Sequence, residues 1–174
     1  MNTYSLDQPV PSSASVRGAR DAYLKENDFD MQQYDMDWVP VNLFGLRVSI
    51  PNPRIRKLAV RYHDLHHLMT GYGTDEIGEV QISVWELKSG IRNFGIFVPL
   101  LIATQIILGL VHSPKTVLST WKSIPTGRHV KKPSYAYYEA CLKLTMGELR
   151  QAHGLPIEGI AGPRRLHGDA PKLS

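Results

Sequence analysis

The chain has 174 residues, 43% hydrophobic and 21% charged, which is apolar material for one ordinary core and too little length for two. Its formal charge of +4, from 20 Lys and Arg against 16 Asp and Glu, excludes an acidic-tail protein and gives little reason to expect a nucleic-acid binder. A single cysteine, Cys141, excludes an intrachain disulfide framework, a cysteine-rich zinc ribbon and an iron–sulfur ligand set, and suits a reducing compartment.

Residues 1–15 are polar and carry neither an apolar signal core nor an Arg-rich transit pattern, so they read as a flexible arm of a cytoplasmic chain. Helix formers over 16–27 predict a short helix ending near Asn27, and 28–37 reads as acidic and irregular. Partial alternation over 38–50, bounded by prolines, predicts one or two short strands. The Pro51-Asn52-Pro53 triplet suits a helix start with Asn52 as N-cap and Pro53 at the first helical position. Ile55, Leu58, Ala59, Tyr62, Leu65 and Met69 then recur at three and four, the period of a packed helix.

Gly71-Tyr72-Gly73 breaks that helix. Thr74 is the expected N-cap of the next one, which carries Asp75 and Glu76 in its first turn and stops at Gly90, so the two form an antiparallel pair. An uncharged stretch, a segment over 114–132 and a helix over 135–153 follow, and 155–174 reads as an irregular tail. The expected fold is all-α, one domain over 16–154 with one or two short strands. The basic excess lies C-terminally: residues 112–174 hold 10 bases and 4 acids, against 8 and 9 in residues 1–75.

Residues 95–111 are free of charge. At 1.5 Å per residue they reach about 25 Å against a hydrocarbon core of roughly 30 Å. A buried core helix, a helix dipping into a membrane and a full span are the three readings. Lys115, Lys122, Arg128, Lys131 and Lys132, interleaved with Leu118, Trp121 and Ile124, suit a surface of anionic headgroups; a merely solvated basic face is the alternative.

The densest chemistry is Arg61-Tyr-His-Asp-Leu-His-His-Leu. At 100° per residue, His63, Asp64 and His67 fall near 0°, 100° and 40°, and His66 about 60° to the other side. Imidazoles at i and i+4 suit a divalent metal, and Glu79, separated from His67 by eleven residues across the tight turn, is the best closing carboxylate. Such a donor set suits zinc and leaves iron and manganese open. A polar helix face without a metal is the bland alternative. An HD-type phosphohydrolase needs a histidine upstream of His63, and none exists; the desaturase-type His-x-x-His-His reading needs several boxes and several spans.

His-Asp-x-x-His, eleven residues, then Glu, here His63, Asp64, His67 and Glu79, resembles the signature of the coenzyme Q (ubiquinone) biosynthesis family named for the fourth protein of that pathway. The context Leu68-Met-Thr-Gly-Tyr-Gly-Thr-Asp-Glu-Ile-Gly-Glu is similar, as, more weakly, are Gly147-Glu-Leu-Arg150 and Gly154-Leu-Pro. The resemblance implies a largely helical fold, zinc on those four residues, and peripheral association with the inner face of a membrane. It also implies a polyprenylated aromatic ligand, ring decarboxylation with hydroxylation at the same carbon, and other enzymes of quinone biosynthesis as partners.

On that reading the metal acts as a Lewis acid on a carboxylated head, a bound water or Asp64 moves protons, and Phe94, Phe97, Leu100, Leu101, Ile107 and Leu108 take the prenyl chain. A homodimer is compatible with it. The competing readings are a non-enzymatic prenyl-lipid scaffold whose metal pins two helices and, more distantly, nucleic-acid binding through the basic third.

Overall fold

The computed structural model describes residues 10–43, 46–90, 94–124 and 133–160. Two short helices, α1 (Val16–Glu26) and α2 (Met31–Asp35), precede an antiparallel hairpin of β1 (Trp38–Leu43) and β2 (Leu46–Pro51). Then come α3 (Arg54–Thr70), α4 (Glu76–Ser89), α5 (Phe97–His112), α6 (Pro114–Ser123), α7 (Tyr135–Cys141) and α8 (Met146–Ala152). The fold is mainly α, as the sequence predicts.

The long helix α3 is the centre of the packing and touches α1, α2, α4, α5, α7 and α8. Its apolar positions explain this: Leu58, Tyr62, Leu65, Leu68 and Met69 are all buried and join Tyr23, Ile82, Trp85, Tyr138, Met146 and Leu149 in one core. Every carbonyl in its last turn has a donor. Gly71, left-handed at φ 88°, donates to His67 O, Arg150 donates to Leu68 O and Met69 O, and Ile160 N–H donates to Thr70 O. A buried guanidinium at that end also complements the negative pole of the helix.

Several expectations are corrected by local hydrogen bonding. Asn52 does not cap α3: its amide donates to Tyr34 O and Met36 O while Oδ1 accepts from Arg56, so the cap position falls to Pro53. Asp75, not Thr74, caps α4 by accepting from Gly78 N–H, and the Thr74 hydroxyl donates to Asn27 Oδ1. The acidic stretch after Asn27 contains α2, capped by Asp30. The predicted helix over 135–153 is two helices, because Thr145 and Glu148 form a reciprocal capping box that starts α8 afresh.

Residues 10–15 of the expected arm are held to the fold. Val10 and Ala14 are buried, Ser15 bridges Thr145, and Gly147 and Met146 N–H donate to Ser12 O and Ala14 O. Residues 1–9 lie outside the described set, as do residues 161–174 of the expected tail. Within 155–160 the chain is irregular, as expected, and Leu155 is buried.

The uncharged run becomes α5, packed on α4 and α6. It is not the buried core helix of the first reading: Leu100, Ile107 and Val111 are 62%, 60% and 70% exposed, whereas Ile102 and Gly109 are buried. No single helix among the described residues is long and apolar enough to cross a membrane. Val98–His112 and Pro114–Lys122 suffice together by length and composition, but they meet at 119°.

Candidate metal centre

Three of the four predicted ligands come together. His63 and His67 lie one turn apart on α3, and the Gly71 turn brings the first turn of α4 alongside with Glu79. That approach needs Gly78, where a Cβ would run into the backbone of Gly73. The donor atoms of His63, His67 and Glu79 lie within 4.8 Å of one another, a group able to hold a metal ion.

The partners on the far side of each ring fix the tautomers. His63 Nδ1 donates to Glu86 Oε1 at 2.9 Å, and His67 Nδ1 donates to the Tyr72 carbonyl at 3.1 Å. In the neutral rings both Nε2 atoms therefore carry lone pairs, and they face each other at 3.1 Å. Glu79 stands beside them, Oε2 at 3.3 Å from His63 Nε2 and Oε1 at 3.4 Å from His67 Nε2. Lone pairs and a carboxylate so arranged need a cation or a proton between them.

The spacing fits a metal. Ligand bonds of 2.0–2.1 Å to a tetrahedral ion place donor atoms about 3.3–3.4 Å apart; the two Nε2 atoms are 3.1 Å apart, and Glu79 reaches each of them with a different carboxylate oxygen, at 3.3 and 3.4 Å. The charges agree as well. Burial would raise Glu79, but hydrogen bonds from His63 and His67 draw its pKa down to about 2. Glu86, buried too, is held well below the usual carboxylate range by His63 and His66. Burial would depress His63, yet the carboxylates of Glu86 and Glu79 hold it well above an ordinary imidazole.

Asp64 is not brought into this group. One residue of helix turns it away from His63, and its buried carboxyl accepts a hydrogen bond from the Tyr34 hydroxyl. Burial pushes its pKa up to about 7. His66, by contrast, joins the centre indirectly, its Nδ1 donating to the same Glu86 oxygen at 2.7 Å. Glu86 is the site residue missed from the sequence, although it stands two turns after Glu79 on the same face of α4.

A cavity of about 310 Å³ adjoins the centre. His63, Glu79, Ser83 and Glu86 form its polar wall, and Phe94, Val98, Leu101 and Ile102 its apolar wall. Of the expected chain-binding residues, Phe94 and Leu101 line it, whereas Leu100, Ile107 and Leu108 face outward; the side chain of Phe97 lies outside the described set. Cys141 is buried, and burial pushes its thiol up to about 11, as befits an inert core residue.

Comparison of the chain with protein-family models, with curated proteins and with solved structures gives no match.

Proposed function

We propose that the chain is a zinc-binding protein of the ubiquinone-biosynthesis type, peripheral to the inner face of a membrane, that handles a polyprenylated aromatic lipid. The observation that carries this reading is the juxtaposition of the His63, His67 and Glu79 group with a cavity whose opposite wall is the uncharged helix α5. A polar head and an apolar tail ask for that combination. The His-Asp-x-x-His and Glu spacing supports it from the sequence side.

His63, His67 and Glu79 would hold the ion, a two-nitrogen, one-carboxylate set of the kind that leaves one position open. A metal bound there supplies a Lewis acid for an oxygen of the head group. The chain's own residues do the rest. Glu86 and the Tyr72 carbonyl keep the two imidazoles in the ligating tautomer. Asp64, buried against Tyr34 and absent from the cavity wall, takes no part in holding the ion or the head group. The cavity stands at the lower end of small-molecule pockets, so a long prenyl chain would continue over the outer face of α5.

The test is the zinc content of the purified chain and of His67→Ala, together with mass spectrometry of lipids that co-purify. One zinc per wild-type chain, its loss in the variant, and a prenylated aromatic lipid are expected. Equal metal content in both proteins removes the cluster from the account. A second reading, a scaffold whose metal pins helices, is favoured by the origin of the donors on both α3 and α4. Metal removal that lowers the melting temperature strongly while lipid binding is unchanged selects the scaffold.

A further inference from the structure

The cavity also contains a cation without an acidic partner. Arg56, in the first turn of α3, lines it on the same helix face as His63, two turns away. Its guanidinium donates to Asn52 Oδ1 at 2.9 Å, and its Nε is buried with no hydrogen-bond partner. Among the described residues no carboxylate pairs with it: Glu79 and Glu86, on the same cavity, are held by the histidines. Burial depresses its pKa and no neighbouring charge offsets the effect.

A guanidinium on a cavity also lined by Val98, Leu101 and Ile102 loses hydration that a ligand can replace. Its planar fork matches an oxyanion with two acceptor oxygens. The bond to Asn52, one turn back, draws the head toward the N-terminus of α3 and away from His63. An anion bound there therefore occupies the other end of the cavity from the metal group.

We propose that Arg56 is the anion-recognising residue of this cavity, binding the carboxylate or phosphate of an amphiphile whose apolar part lies against α5. The inference rests on the cavity being the ligand site proposed above. It sharpens that reading, because it assigns the acid group of the ligand to Arg56 and leaves the metal group for another oxygen.

Calorimetric titration of the full chain with decyl phosphate, decanoate and decanol tests it. The two anions are expected to bind about tenfold or more tightly than the alcohol, and whichever binds better identifies the acid as phosphate or carboxylate. Arg56→Gln should abolish the preference while leaving decanol binding and zinc content unchanged. Equal affinity for all three probes, no binding of either anion, or a preference that survives Arg56→Gln overturns the assignment. Should that variant not fold, Arg56→Lys is read instead: a preference cut several-fold supports the role of the fork, and an unchanged one overturns it. His67→Ala separates the two readings, since it should lose zinc and keep the preference. A chain that never binds zinc yet prefers anions through Arg56 refutes the metal centre alone.

Discussion

The Nδ1 protons of His63 and His66 converge on one carboxylate oxygen, Glu86 Oε1, at 2.9 and 2.7 Å. Because Glu86 is ionised it can only accept, so it fixes His63 as the Nδ1–H tautomer and turns Nε2 toward His67 and Glu79. Glu86→Gln keeps the shape and removes the charge. Zinc affinity, measured by competition with a chelator, is expected to fall about 10–100-fold, and the metal-free protein to melt at a lower temperature, because the buried pairing of Glu86 with His63 and His66 is lost. Affinity equal to wild type would show that Glu86 is only a packing residue. The grouping of His63, His67 and Glu79 was legible in the sequence, since the i, i+4 spacing of the two histidines and the glycine turn before Glu79 are local facts. Glu86 was not, because its role depends on α4 lying antiparallel at one particular rotation. Asp64 shows the converse: a motif neighbour of His63 is 100° away on the helix and meets Tyr34 instead.

Elements were legible where a segment's own period and stop signals decide its structure, as in α1, α3 and α4, whose ends at Glu26, Thr70 and Ser89 lie within a residue of the predicted ones. They were not where a distant segment supplies the deciding bond. The break between α7 and α8 is held from the far end of the chain, by Ser15 bridging Thr145 and Val16 N–H donating to Leu144 O, in addition to the local capping box. The turn between α3 and α4 has a local weak point at Gly78. A methyl group there would meet the Gly73 carbonyl and Asp75 Oδ1, the very carboxylate that caps α4, and backbone cannot yield as a side-chain tip can. Gly78→Ala is expected to cost about 1–3 kcal/mol of stability and to displace Glu79 from the imidazoles. Denaturant unfolding and zinc analysis should therefore report losses together. Full stability with full zinc content would mean that the turn is not what sets the site.

For the molecule as a whole, the outer surface of α5 and α6 is where a membrane contact would form. Leu100, Ile107 and Val111 on one helix and Leu118 and Trp121 on the other are exposed, with Lys115 and Lys122 beside them. Lys88 holds this pair of helices to α4 by donating to Trp121 O and Ile124 O and by lying over the Trp121 ring. The apolar surface is thus a fixed part of the fold that also carries the cavity. The other basic residues of the expected surface, Arg128, Lys131 and Lys132, lie outside the described set. A bilayer contact of this kind has two separable parts. Each Lys near an anionic surface contributes about 1 kcal/mol, and that part is screened as the Debye length falls from about 10 Å at 0.1 M salt to about 3 Å at 1 M. The apolar part is not screened. Flotation with phosphatidylglycerol-containing vesicles is therefore expected to show strong binding at low salt and a reduced, persistent fraction at 1 M. Lys115→Ala with Lys122→Ala should flatten the salt dependence, and Leu100→Glu with Ile107→Glu should remove the persistent fraction. Wild-type protein that stays in the aqueous layer at low salt, or a double-Glu variant that floats like wild type, would exclude this face as the membrane contact and leave the long apolar tail of the proposed ligand without a route into the cavity.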